Sequence, residues 1–144
     1  MISKYRTKTL LFNFDTHGND GLVFYIPEGE EWLIQTVYLE LTSSSTLGDR
    51  NFSIDFYQSG KRILSTTNDT PYSATTTGYF TFSDVIADHG IEDSHRHAPL
   101  PDIAIGTNGE IRFAGEGGKT GDFGHMVIHY KLLAQNGKLT EGED

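Results

Sequence analysis

Apolar and polar side chains alternate along most of this chain, and the period is two rather than 3.6. Leu10, Phe12 and Phe14 share one parity, and Leu22, Phe24 and Ile26 form a second apolar row that Pro27 closes. The stretch EWLIQTVYLELT (31–42) places Val37, Leu39 and Leu41 on one side and Tyr38 and Glu40 on the other. Trp32 and Ile34 break that parity, so this strand is either covered on both faces or bulged near Gln35. Asn51 to Gln58 alternates strictly through Phe52, Ile54 and Phe56, and Ser59-Gly60 then reverses the chain into Lys61 as a tight hairpin. Further strands are expected at 79–82, at 102–105 and 110–113 with an Asn-Gly hairpin between them, and at 125–133.

No segment repeats apolar residues at i, i+3, i+4 and i+7 over ten positions. One short helix is conceivable at SDVIADHG (83–90), capped by Ser83 and stopped by Gly90. The segment from Asp84 to Pro101 is the longest excursion without a clear strand. About eight to nine short strands joined by turns predict an all-β antiparallel sandwich, with a jelly roll ahead of an immunoglobulin-like Greek key. The expected organisation is a basic N-terminal arm over residues 1–9, a sandwich over 10–133 and an acidic tail over 134–144.

Composition narrows the chemistry. The 144 residues suit one domain, and a chain of this size folds without a metal or disulfide staple. Having no cysteine excludes thiolate zinc sites, iron–sulfur clusters and cysteine nucleophiles. The formal charge of -9 disfavours nucleic acid as a partner. Neither a signal-peptide core nor an apolar run of roughly 20 residues is present, so synthesis in a cytoplasm and no membrane partner are expected.

Residues 115–122, GEGGKTGD, end like a phosphate-binding P-loop. The leading glycine of that motif should stand at 113, which is Phe113, and a strand rather than a helix follows. The glycines therefore read as a flexible hairpin tip. His95 and His97 would share a face in an extended chain, as in a cupin metal site, but Ala98-Pro99 follows where that site needs a glutamate. The stretch from Asp15 to Gly21 looks a little like a calcium loop, but Asp20 stands where the loop needs glycine, so a turn is expected. No G-x-S-x-G elbow and no spaced carboxylate pair marks an enzyme, so no catalytic residue, cofactor or metal is assigned. Trp32, Tyr25, Tyr38, Tyr57, Tyr72 and Tyr79 lie off the alternating faces or in loops. They either pack on their own core, form a subunit interface, or stack on sugars.

The stretches LTSSSTLGDRNFSIDFYQSGKRI (41–63), GYFTFSDV (78–85) and LPDIAIGTNGEIRFAGEGGKTGDFGHMVIHYKL (100–132) occur in succession. That succession resembles the small jelly-roll decoration, or cement, proteins on the outside of tailed-phage capsids, over roughly residues 8–133. The resemblance implies a virion structural protein on the capsid exterior that clamps neighbouring copies of the major capsid protein. It also implies a symmetric oligomer, a homotrimer ahead of a homodimer. The basic side chains Lys4, Arg6 and Lys8 would lie on an acidic coat, with Trp32 and Tyr57 as further contact residues. The alternative is a carbohydrate- or receptor-binding module of a tail fibre or adhesin, using Tyr25, Trp32, Tyr57 or Tyr72.

Overall fold

The computed structural model describes residues 5–13, 22–67, 73–84, 95–116, 119 and 121–139. They form eleven strands: β1 (Tyr5–Asn13), β2 (Leu22–Tyr25), β3 (Glu31–Thr42), β4 (Asn51–Gln58), β5 (Lys61–Thr67), β6 (Thr77–Ser83), β7 (His95–Pro99), β8 (Ile103–Ile105), β9 (Gly109–Glu116), β10 (Phe123–Gln135) and β11 (Lys138–Leu139). The larger sheet runs β1-β10-β3-β6-β7, with β8 added to β3 and β11 to β10. The smaller sheet runs β2-β9-β4-β5. The two sheets pack face to face as an all-β sandwich. Every pairing is antiparallel except β6 with β7.

The alternation becomes burial. Val37, Leu39 and Leu41 of β3 meet Phe52, Ile54 and Phe56 of β4 in one core with Ile111, Phe113, Met126 and Ile128. Phe52 stacks on Phe113 at 5.5 Å and meets Phe80 edge-on at 4.8 Å. Gly124 faces the same core. A side chain there would strike Leu41, Phe12 and the Glu40 carbonyl, so the missing Cβ is what lets Phe12 close that end.

The parity break in β3 is a bulge. Thr36 pairs with His129 and Ile34 with Tyr130, which leaves Gln35 as the extra residue. One inserted residue turns Trp32 and Ile34 to the same side as Val37, so all three are buried. The β4–β5 hairpin also forms as expected. Ser59 and Gly60 both have positive φ, 52° and 82°, the pair of conformations that a type I′ turn requires.

Two expected hairpins do not form. The turn Gly106–Gly109 closes with the Gly109 amide on the Gly106 carbonyl, but β8 pairs with β3 and β9 pairs with β2 and β4. Asn108-Gly109 thus carries the chain from one sheet to the other. A side chain at Gly109 would strike Ile105, so tight packing, not hairpin geometry, sets the glycine there. The glycine-rich stretch after β9 likewise leads across to β10 in the opposite sheet, with strands on both sides of it.

Other boundaries move. Tyr5 to Thr9, read as part of a basic arm, belong to β1 and pair with Lys131 to Val127. Beyond residue 133, β10 continues to Gln135 and turns at Asn136-Gly137 into β11. His95 to Pro99, read as irregular, form β7 at the sheet edge, where proline is tolerated. The conceivable helix at 83–90, the turn at 15–21, Lys4 and Tyr72 lie outside the described residues, apart from Ser83, which ends β6, and Asp84, which is exposed.

Candidate functional site: two outer faces

The register fixes which side chains each sheet shows to the outside. On the larger sheet, outward positions line up across β1, β10, β3 and β6 in rows: Asn13–Phe123–Thr42–Thr77, Leu11–His125–Glu40–Tyr79, Thr9–Val127–Tyr38–Thr81 and Thr7–His129–Thr36–Ser83. A shorter row is Tyr5–Lys131–Leu33, and beyond it Gln135 pairs with Lys138 of β11. Across the rows from Asn13 to Tyr5, Glu40 and Lys131 are the sole formally charged side chains apart from histidine, in a chain of net charge -9. Leu11 is 75% exposed and Phe123 is 53% exposed, and they are diagonal neighbours. His125 lies edge-on to Tyr38, with Nδ1 3.9 Å from Glu40. Lys131 reaches over the Tyr5 ring. A broad β face of threonine, tyrosine and histidine with so few charges has the composition of a protein-contact core.

The smaller sheet shows a different outside. Tyr25 of β2 and Tyr57 of β4 both pair with Glu110 of β9, so the three form one row. The next row is Val23–Arg112–Asp55–Ser65. The Arg112 guanidinium lies 3.9 Å from the Tyr57 ring centre and donates to Glu110 Oε2 at 2.9 Å. The Glu110 hydrogen bond raises the Arg112 pKa against an opposing desolvation, so this group stays charged. Arg112 Nε is buried and has no partner among the described residues. Asp55, opposite Arg112 in register, is buried and accepts from Ser65 Oγ at 2.5 Å and Ser53 Oγ at 3.3 Å.

The expected contact residues fare unequally. Tyr57 stands on this second face, beneath Arg112. Trp32, expected at the surface, lies inside the protein: it is 2% exposed, stacks on Tyr130 at 3.6 Å and donates from Nε1 to Glu30 at 2.8 Å. The Gln35 bulge turns it inward, which alternation read without the bulge does not show. Arg6 and Lys8 sit on the inward parity of edge strand β1, opposite Tyr130 and Ile128. Lys8 lies over the Phe24 ring of the other sheet. Charged side chains turned in along an edge strand also discourage another strand from adding there.

Two further polar arrangements complete the picture. A cleft of about 310 Å³ opens beside the bulge, lined by Tyr5, Arg6, Thr7, Gln35, His129 and Tyr130. Burial, followed by the Glu30 carboxylate, pushes the Tyr130 phenol up, while Arg6 pulls it down. Arg50 and Asp122 form an ion pair inside the protein, Nε to Oδ2 at 3.0 Å, with both side chains essentially inaccessible. Arg50 also donates to the Gly48 and Thr46 carbonyls, and Asp122 accepts from the Ser44 and Lys119 amides. Burial pushes the Asp122 carboxyl up, but Arg50 and the two amides outweigh it and hold the group below the ordinary carboxylate value. The pair ties the 43–50 loop to the start of β10. The sequence contains Gly-Asp-Arg and Gly-Asp but nothing that joins them across 72 positions.

Among the described residues, no cluster of three or more His, Asp or Glu could hold a metal. The side chains of His95 and His97 lie outside that description, although their backbones pair with Tyr79 and Thr81. No helix among the described residues is long and apolar enough to cross a membrane. No protein-family model, curated protein or solved structure matches the chain.

Proposed function

We propose that this is a structural protein of a tailed-phage virion, a symmetric oligomer that decorates the capsid and clamps neighbouring coat subunits. The observation that carries the reading is the nearly charge-free outer face of the larger sheet, with Leu11 and Phe123 standing out from it. A charge-depleted face rich in tyrosine and threonine can lose water at little cost, whereas solvated carboxylates and ammonium groups cannot. Strand order supports the jelly-roll form: β1-β10-β3-β6 opposite β2-β9-β4-β5 brings first beside last and second beside penultimate major strand, as two wound Greek keys do. A symmetric oligomer on a symmetric site multiplies small contacts through effective concentration, which is how a modest face secures a pressurised shell.

Arg6 and Lys8 act differently from a free basic arm in this reading. Both belong to an ordered strand and face its inward side, so steering toward an acidic coat falls to Lys4 and to any part of Arg6 and Lys8 that reaches past the edge. The test is the mass of the purified protein by light scattering, alone and after mixing with empty heads of its source phage. A trimer that saturates heads at a fixed ratio supports the reading. A protein that stays monomeric and leaves heads bare refutes it.

A further inference from the structure

We infer a second binding site on the outside of the smaller sheet, built from Tyr25, Glu110, Tyr57 and Arg112, for a neutral oligosaccharide. It is independent of capsid decoration, because it lies on the opposite side of the sandwich. Tyr25 and Tyr57 flank Glu110 on adjacent strands, which sets their Cα atoms about 10 Å apart at two strand spacings. Tyr25 is 64% exposed and sits on the edge strand, so one ring stands clear of the sheet. Tyr57 is half-buried, with its face covered by the Arg112 guanidinium.

Between the rings lie an acceptor and a donor held in fixed relation. Glu110 and Arg112 hydrogen-bond to each other at 2.9 Å; the Arg112 side chain is 38% exposed, so its terminal N–H groups, rather than the buried Nε, are the donors within a ligand's reach. A sugar ring offers an apolar C–H face and a rim of hydroxyls that each donate and accept. The tyrosine suits the face, and the carboxylate beside a planar guanidinium suits adjacent hydroxyls. Other ligand classes fit less well. An anion would have to displace Glu110 from Arg112 in a strongly acidic protein. A purely apolar partner would bury the Arg112–Glu110 pair and the neighbouring Asp55 at a desolvation cost.

The test is binding of the full chain to a panel of neutral glucans, galactans, mannans and N-acetylhexosamine oligomers, followed by titration calorimetry on any hit. Tyr25→Ala is exposed enough to leave the fold intact, and Arg112→Gln removes the charge and the fork. Each should weaken binding about tenfold or more, with unchanged circular dichroism. Leu11→Asp, on the opposite face, should leave the affinity unchanged. Silence across the panel at millimolar sugar overturns the inference. So does binding that survives both substitutions, binding restricted to sulfated or phosphorylated glycans and abolished by salt, or capture of a protein at this face in place of a sugar.

Discussion

Arg50 and Arg112 are each held by a carboxylate, and their surroundings give them opposite roles. Arg50 is enclosed, and each of its three side-chain nitrogens meets an acceptor among Asp122, two loop carbonyls and Ser44. It serves the fold, because a buried charge with so many fixed partners locks the loops that supply them. Arg112 lies on an outer face against an aromatic ring, with one carboxylate partner and terminal N–H groups that water can reach. It has chemistry left to offer. The same ion pair thus reads as architecture when its hydrogen-bonding capacity is used up, and as a recognition element when it is not.

The sharpest way to break this contrast is to remove a partner from the enclosed pair. Asp122→Ala should destabilise the protein by about 3–5 kcal/mol, because Arg50 is left charged and uncompensated inside. The urea midpoint at neutral pH measures it. Trp32→Ala should cost a similar amount, about 3–5 kcal/mol, with a cavity against Tyr130. Loss of folding there, rather than loss of a partner in a folded protein, is what its burial dictates.

Acid sharpens the comparison further. The folded Asp122 carboxyl titrates below its ordinary value, so its contribution is complete above about pH 4. That contribution is lost as pH falls through the lower folded pKa. Urea midpoints for the wild type should drop below about pH 4, and Asp122→Asn should lack that part of the decline.

A smaller effect is expected at Gln58, whose amide spans the sheet-crossing turn by donating to the Thr107 carbonyl and accepting from the Gly106 amide. Gln58→Ala should cost about 1–2 kcal/mol in thermal or urea unfolding. The smallest belongs to the outer pair. Arg112→Gln should change stability by no more than about 1 kcal/mol, since the Arg112 side chain is more than a third exposed and a glutamine amide can still donate toward the largely covered Glu110. A loss as large as that of Asp122→Ala would erase the distinction between the two arginines.

Where local pattern and tertiary outcome coincide, the sequence alone was sufficient. Asn51 to Gln58 alternates strictly because one side meets the core, and Ser59-Gly60 is a hairpin because its neighbours pair directly. The irregularity at Gln35 is visible as two apolar parities in one strand, and the bulge resolves it. Sheet-crossing turns are different. Gly106-Thr107-Asn108-Gly109 has the residues of a hairpin, and nothing local says that the flanking strands join opposite sheets. The first half of β1 is equally hidden, because its inward positions are Arg6 and Lys8 and no apolar rhythm marks them. The two candidate faces are hidden for the same reason. Tyr25, Glu110 and Tyr57 stand far apart in sequence and meet only through register.

The proposed capsid contact is the nearly charge-free outside of the larger sheet. Co-sedimentation with empty heads tests it directly, comparing wild type, Leu11→Asp combined with Thr81→Asp, and Tyr25→Ala. Wild type and Tyr25→Ala are expected to pellet with heads at the same ratio, while the doubly charged variant, still folded by circular dichroism, stays in the supernatant. Equal pelleting of the charged variant, or no pelleting of the wild type, would contradict it.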